Sequence, residues 1–308
     1  MNFSLPLDPD LLDLWVRERS PEPASIHAMQ GVVRSFVHHT GCNRLDHIQR
    51  EMFLLWKERL FAAGCGVVTW NTYLRSMRVL LRLAGYWGWD GGRMIRGIKT
   101  LPVRTKRKKT VDDFAIQAAI RWLESPQQFQ VNPGWFWVHV IRTLYYTGIR
   151  RRQLVGLSWG DVNLKSGTLH LSSAHSKTRR GWDIPLPAPL LPVLTSQQQR
   201  TEAALQRSIR LTDQVFNVTV FTGRWKGDQT TVHHISSALR RISDNAGVKI
   251  SAHRFRHTFA TKLANADGAN LRQLQTLLGH TSIKTTIEYI HPSVEGMRDM
   301  LEGLGHDI

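Results

Sequence analysis

The sequence predicts a mainly α-helical protein with a small antiparallel β-sheet, divided into two domains. Three observations lead there. Apolar residues recur at three- and four-residue spacing over much of the chain. Two short runs, Thr168-Leu-His-Leu171 and Trp182-Asp-Ile-Pro-Leu186, read as strands on either side of a polar turn. Five of the six residues from Arg104 to Lys109 are basic, and this run divides a 308-residue chain into two segments, each long enough for a core of its own.

Taken in order, residues 1–23 end in Ser-Pro-Glu-Pro, which disfavours helix and predicts an extended N-terminal arm. Residues 24–100 form a helical domain. One helix carries Ile48, Met52, Leu55, Trp56 and Leu60. Another carries Trp70, Tyr73, Leu74, Met77, Leu80, Leu81 and Ala84 as one apolar stripe, with Arg75, Arg78 and Arg82 on a different face. That basic face is either solvated or in contact with a nucleic-acid backbone. Residues 101–110 read as a basic linker, extended by self-repulsion, in which Arg104, Lys106, Arg107, Lys108 and Lys109 could neutralise phosphates.

Residues 111–308 make the second domain. Its first helix is capped by Asp112 or Thr110. Trp135 to Tyr146 reads as a buried helix ended by Gly148, and the next element starts at Arg150. The two strands follow, with Lys177 on the turn between them. Thr231 to Ala246 is a helix with Ile235, Leu239 and Ile242 inward, and the chain from His253 onward is mostly helical. Val294, Met297, Leu301 and Leu304 continue the helical spacing, to cover their own domain or to dock on a neighbouring subunit.

Hydrophobic residues make up 42% of the chain, so a packed core is expected rather than disorder. The formal net charge is +17, and it is spread: residues 1–109 hold 18 Lys+Arg against 9 Asp+Glu, the remainder 23 against 15. That distribution favours a long anionic partner touching both domains, and duplex DNA fits. The two cysteines, Cys42 and Cys65, form no metal or disulfide framework and are read as reduced thiols of a cytoplasmic, nucleoid-associated protein. No segment approaches a membrane span in length, and no membrane partner is expected.

The chemistry concentrates between Ser251 and Tyr289. The segment opens with Ser-Ala-His253-Arg-Phe-Arg256-His-Thr-Phe-Ala-Thr and closes with Leu278-Gly279-His280, followed nine residues later by Tyr289. Upstream, Thr147-Gly148-Ile149-Arg150 adds an arginine after a glycine turn, and Ser176-Lys177-Thr178 adds a lysine. Cations for phosphate oxygens, imidazoles for proton movement and a phenol able to attack phosphorus suit a phosphodiester. His253 and His257 are one helical turn apart, but Arg254 stands where a zinc peptidase needs its glutamate, so a metal is rejected and no cofactor is expected. His257 is read as structural or supporting.

The ordered set Arg150, Lys177, His253, Arg256, His280, Tyr289 resembles the active site of the tyrosine recombinases, the lambda-integrase-type enzymes that break and rejoin DNA. The resemblance spans Thr147 to Tyr289, and more loosely extends to the helical domain, which then corresponds to the family's core-binding domain. It implies that Tyr289 attacks the phosphate, giving a 3′-phosphotyrosyl bond and a free 5′ hydroxyl, without metal or ATP. Arg150 and Arg256 would hold the non-bridging oxygens, Lys177 would protonate the leaving oxygen, His253 would bond the phosphate and help accept the phenol proton, and His280 would donate to a phosphate oxygen. It further implies a homotetramer acting on two DNA sites through a Holliday junction; accessory DNA-bending proteins are further partners it admits. The chain departs from the pattern at Gln153, where the family has an acidic residue. The alternatives are a type IB topoisomerase-like strand transferase and a DNA-binding protein that kept the fold without catalysis.

Overall fold

A computed structural model of the chain describes residues 5–91, 95, 97–103, 108–126, 128–172, 181–266, 268–290 and 298. They fall into two units, Met1–Lys106 and Arg107–Ile308.

The first unit is helical: α1 (Leu12–Arg19), α2 (Pro23–Thr40), α3 (Arg50–Ala62) and α4 (Val67–Tyr86). The stripe expected on α4 is buried, from Trp70 and Leu74 to Leu81 and Ala84. Trp56 of α3 sits among aromatic rings, edge-on to Phe36 and Trp70 and stacked 5.7 Å from Tyr73. Such pairs add geometric preference to a large buried apolar area. Residues 5–23 are not an extended arm. Leu7, Leu11, Leu12 and Trp15 are buried in this core, and residues 12–19 are helical. The prolines punctuate rather than prevent helix: Ser20, at φ 41°, ends α1, and Pro23 occupies the first position of α2, where a missing N–H costs nothing. Burial of the apolar spacing outweighs the local signal.

Downstream of α4, the amide of Asn71 clasps Leu101 from both sides. Its Nδ2 donates to the Leu101 carbonyl at 2.7 Å and its Oδ1 accepts from the Leu101 N–H at 2.8 Å. The segment entering the basic run is thereby fixed to α4.

The second unit is built around α6 (Gly134–Thr147), which follows α5 (Asp113–Glu124). Asp112 caps α5, accepting from the Ala115 N–H at 2.7 Å. Phe136, Trp137, Val140, Ile141 and Leu144 of α6 are fully covered, because neighbours pack on several of its sides. After the short α7 (Arg151–Gly156) come β1 (Val162–Asn163), β2 (Thr168–Leu171) and β3 (Trp182–Pro185), an antiparallel sheet in that order with Leu169 opposite Ile184. β1 is a third strand that the sequence reading did not separate from its loop. The remaining helices are α8 (Leu191–Leu205), α9 (Val232–Asn245), α10 (Ala252–Ala264), α11 (Leu271–Leu278) and α12 (Ile283–Ile287). Ile235, Leu239 and Ile242 of α9 point into the core as expected. Lys177 and the apolar residues Val294, Met297, Leu301 and Leu304 lie outside the described residues. Among the described residues, no helix is long and apolar enough to cross a membrane.

Candidate active site

Four chain segments converge in the second unit. The first is the end of α6. Gly148, at φ 60°, closes that helix in the left-handed conformation, and a side chain there would collide with the Phe259 ring. Arg150 then caps α7. Its N–H donates to Gln153 Oε1 at 2.8 Å, so the glutamine that replaces a carboxylate acts as a capping partner. Two donors at this point are buried and have no acceptor among the described residues: Arg150 Nη1 and Gln153 Nε2. Buried donors are normally paired, and an unpaired pair marks where an acceptor belongs.

The second segment is α10, started by Ser251, whose hydroxyl accepts from the Arg254 N–H. Arg256 is 5% exposed yet has no carboxylate partner among the described residues. Its guanidinium donates to the Gly148 carbonyl at 2.9 Å, to the Leu278 carbonyl at 2.6 Å, and to His280 Nε2 at 3.1 Å. Those two carbonyls belong to the C-terminal ends of α6 and α11, where unpaired carbonyls carry partial negative charge. Burial, then the neighbouring Arg150, lowers the Arg256 guanidinium to about 9, which leaves it charged at neutral pH. Burial likewise lowers Arg150.

The third segment is the turn after α11. Gly279 is left-handed and lies under the Trp182 indole, which leaves no room for a side chain. His280 follows, its Nδ1 against the Thr286 hydroxyl at 3.0 Å and its carbonyl accepting from Gln275 Nε2. Its Nε2 is occupied by Arg256, so in this arrangement that nitrogen accepts rather than donates. Burial, then Arg256, brings His280 down to about 4. A cavity of about 300 Å³ opens beside it, lined in part by Trp182, Arg272 and Gln275.

The fourth segment carries Tyr289, which is 4% exposed. Its main chain is fixed by Thr286 and by Asn265, whose Nδ2 donates to the Tyr289 carbonyl at 2.9 Å. The ring is nearly parallel to that of His280 with centroids 6.1 Å apart. Its hydroxyl lies 3.0 Å from His257 Nδ1. Burial raises the phenol, partly offset by Arg256 and Lys108. His257 is lowered to about 4, first by burial and then by His253 and Lys108. The neutral pH state is therefore two charged guanidiniums, neutral buried imidazoles and a protonated phenol: a dry, cationic setting for an anion.

The structure thus brings Arg150, Arg256, His280 and Tyr289 together. His253 lies at the exposed edge of the same helix, its ring 4.0 Å from that of His257. Two residues stand closer to the phenol than the sequence reading placed them. His257, read as structural, touches the hydroxyl. Lys108, read as a linker cation, pairs with Glu288 at 2.7 Å and lies 5.8 Å from the Tyr289 ring. Thr258 explains the second, because its hydroxyl bonds the Val111 backbone and draws the start of this unit onto α10. The helical spacing of His253 and His257 was a signal that both face one region, but not of which one meets the phenol.

Of the other cations, Arg75 and Arg82 are exposed on α4, Arg78 is half-buried and donates to the Ile98 carbonyl, and Lys109 is exposed. Arg104, Lys106 and Arg107 lie outside the described residues. Among the described residues no group of three or more His, Cys, Asp or Glu is placed to hold a metal ion.

A family profile described as the phage integrase family matches residues 137–295. The chain is 29% identical to a Pseudomonas syringae protein named "Putative tyrosine recombinase XerC", over 96% of this chain and 64% of that one. It is 26% identical to a protein of the same name from Pseudomonas aeruginosa, over 90% and 67%. It therefore spans about two thirds of the length of these relatives. Among solved structures it resembles the Tn1549 transposon integrase in complex with a circular intermediate DNA, with TM-score 0.76 and 18% identity over 95% of this chain and 98% of that one. It also resembles a lambda integrase dimer bound to a core site, with TM-score 0.69 and 15% identity over 91% and 76%. At these identities the structural likeness is one of fold.

Proposed function

The chain belongs to the phage integrase family, and from that premise we propose that it is a site-specific tyrosine recombinase that cuts and rejoins duplex DNA through Tyr289. One observation carries the reading: near the buried phenol, Arg150 Nη1 is a buried donor with no acceptor among the described residues, and Gln153 Nε2, on the amide that caps Arg150, has none either. A phosphodiester oxygen is the acceptor that such a pocket fits.

In this reading Arg150 and Arg256 grip the non-bridging oxygens of the scissile phosphate. Their forked donors match its geometry, and their charge offsets the charge that grows in the pentavalent transition state. The Tyr289 oxygen forms a bond to phosphorus while the bond to the 5′ oxygen breaks. The phenol proton leaves to His253, and the 5′ oxygen takes a proton from Lys177. His280 supports the phosphate once Arg256 has turned to it. A 5′ hydroxyl from a partner strand reverses the step, so the bond energy stays in the covalent link and no nucleotide is consumed. Gln153 supplies a neutral donor where a carboxylate would pull charge from the site, and this leaves the pocket more cationic.

The DNA-bound relatives support duplex DNA as the partner, and the lambda integrase dimer supports assembly on it. Four subunits on two sites, with accessory DNA-bending proteins, complete the proposed reaction. The exposed Arg75, Arg82 and Lys109 would lie along phosphates. A protein acting on chromosomal or mobile DNA would work in the cytoplasm, at the nucleoid.

The test is capture of the covalent intermediate. Nicked duplexes spanning the flanks of the chain's own gene are incubated with the protein in chelator, and the products are run on denaturing gels beside Tyr289→Phe. A DNA-linked species that needs Tyr289 is expected. Tight, specific binding to nicked sites that yields no such species would replace this reading with a non-catalytic DNA-binding one.

A further inference from the structure

Among the described residues, the Tyr289 hydroxyl has one hydrogen-bond partner, His257 Nδ1 at 3.0 Å. Both residues are buried, at 4% and 6% exposed. The contact is built in from two sides. Arg256 and His257 are consecutive on α10, so the turn that sends a guanidinium toward the carbonyls of Gly148 and Leu278 sends the next side chain toward the phenol. Hydrogen bonds to Thr286 and Asn265 fix the Tyr289 main chain, which leaves side-chain torsion as the way to move its oxygen.

The protonation states define what the contact does. The groups facing it are His253, Arg256, Arg150, Lys108 and Glu288, with the His280 ring 6.1 Å from that of the phenol. Burial and this mostly cationic set bring His257 down to about 4, whereas burial raises the phenol. At neutral pH the bond therefore joins a neutral phenol, donating its proton, to a neutral imidazole that carries its own proton on Nε2. Moving the phenol proton onto this imidazole would run against both groups, since burial makes the phenol a weaker acid and the imidazole a weaker base. His257 is poorly suited to take that proton and well suited to hold the hydroxyl that carries it.

We propose that His257 is a positioning residue that holds Tyr289 in a protonated resting position, from which the hydroxyl must be released to reach a phosphate seated on Arg150 and Arg256. This rests on the reading of Tyr289 as the nucleophile. It adds a step between DNA binding and chemistry: the acceptor bond persists in the bound complex and is given up before the hydroxyl reaches the phosphate. It also divides the two histidines of α10 by role, His253 facing outward to the substrate and His257 inward to the resting phenol.

The hold is testable without DNA. The chain has five tyrosines, so the ring Cζ carbons can be labelled with carbon-13, the Tyr289 signal identified by its loss in Tyr289→Phe, and its titration followed by NMR. In His257→Phe the phenol remains buried but loses the acceptor that stabilises its neutral form, so Tyr289 is expected to titrate at lower pH. In His257→Gln an acceptor is retained and the wild-type titration returns. His257→Asn, whose amide stops short of the phenol, serves the same comparison if the Phe variant does not fold. A second readout uses preformed complexes with nicked duplex at saturation. Loss of one neutral hydrogen bond should speed single-turnover cleavage about fivefold without changing DNA affinity, and His257→Gln should restore the wild-type rate. An unchanged Tyr289 titration overturns the proposal. So does a cleavage rate that is unchanged or lowered, and a fall of a hundredfold would make His257 a proton acceptor in the reaction instead. If the wild-type protein makes no covalent link to DNA it binds, the nucleophile reading fails on its own, and the titration still decides whether the hydroxyl is held.

Discussion

Replacing Arg256 by Met should silence the site while leaving stability nearly unchanged. The guanidinium is 5% exposed and has no carboxylate partner among the described residues. Its proton is held more weakly in the folded chain than in the unfolded one, since the group falls to about 9. The sign follows from linkage: the unfolded chain binds this proton more tightly, so carrying the charge destabilises the fold at all pH values below about 9. The cost is about 5 kcal/mol at neutral pH. Methionine has a similar reach and removes that cost. Against this stand two backbone carbonyls, of Gly148 and Leu278, that lose their donor, whereas the third acceptor, His280 Nε2, can take up the imidazole proton while Nδ1 accepts from Thr286. Each such loss costs about 1–3 kcal/mol. The two effects nearly cancel, and the net change in unfolding free energy should stay within about 3 kcal/mol. Chemistry has no such compensation. Losing one preorganised donor to a transition-state oxyanion typically costs a factor of about 10²–10³, and a charged, forked one should cost at least that. Urea denaturation at pH 7 gives the first quantity, and single-turnover capture on bound nicked DNA gives the second. A destabilisation well above 4 kcal/mol would mean that Arg256 is a structural tie rather than stored electrostatic tension. Undiminished capture would remove it from the site.

Two other outcomes are expected. His257 and His280 are both lowered to about 4, so the unfolded chain takes up protons first and stability should fall as pH drops from about 6.5 towards 4. Urea midpoints at pH 7, 5.5 and 4.5 should fall less in His257→Gln/His280→Gln than in the wild type, and parallel slopes would reject the assignment. Asn71→Ala should destabilise the first unit by about 2–3 kcal/mol, because it strips partners from both backbone groups of Leu101; a loss under about 0.5 kcal/mol would show that the clasp is replaced by water.

Much of this could be read from the residues because local and global preferences agree. The apolar stripe of α4, the inward residues of α9, the left-handed Gly148 and the Asp112 cap were each legible from spacing or cap chemistry, and each is where it was expected. The residues before α2 were misread because four prolines in the first 23 positions outweighed the spacing of Leu7, Leu11, Leu12 and Trp15. Proline position within a helix, not proline content, decides such cases. Gln153 was legible as a missing charge but not as a cap, since capping depends on where the backbone turns. The partner of the Tyr289 hydroxyl could not be read at all: two histidines one turn apart share a helix face, and only packing against the α12 segment separates them.

The setting of Arg256 also bears on the order in which a growing chain becomes able to act. Its carbonyl partners come from residues 148 and 278, 130 positions apart, and neither α6 nor the arginine can complete the arrangement before α11 has been synthesised and has docked. A ribosome-bound or truncated product that ends earlier can carry the helical first unit and Arg150, yet it lacks both the second carbonyl and Tyr289. If the chain cleaves DNA as proposed, the fold thus withholds that activity from incomplete chains, a safeguard that needs no inhibitor.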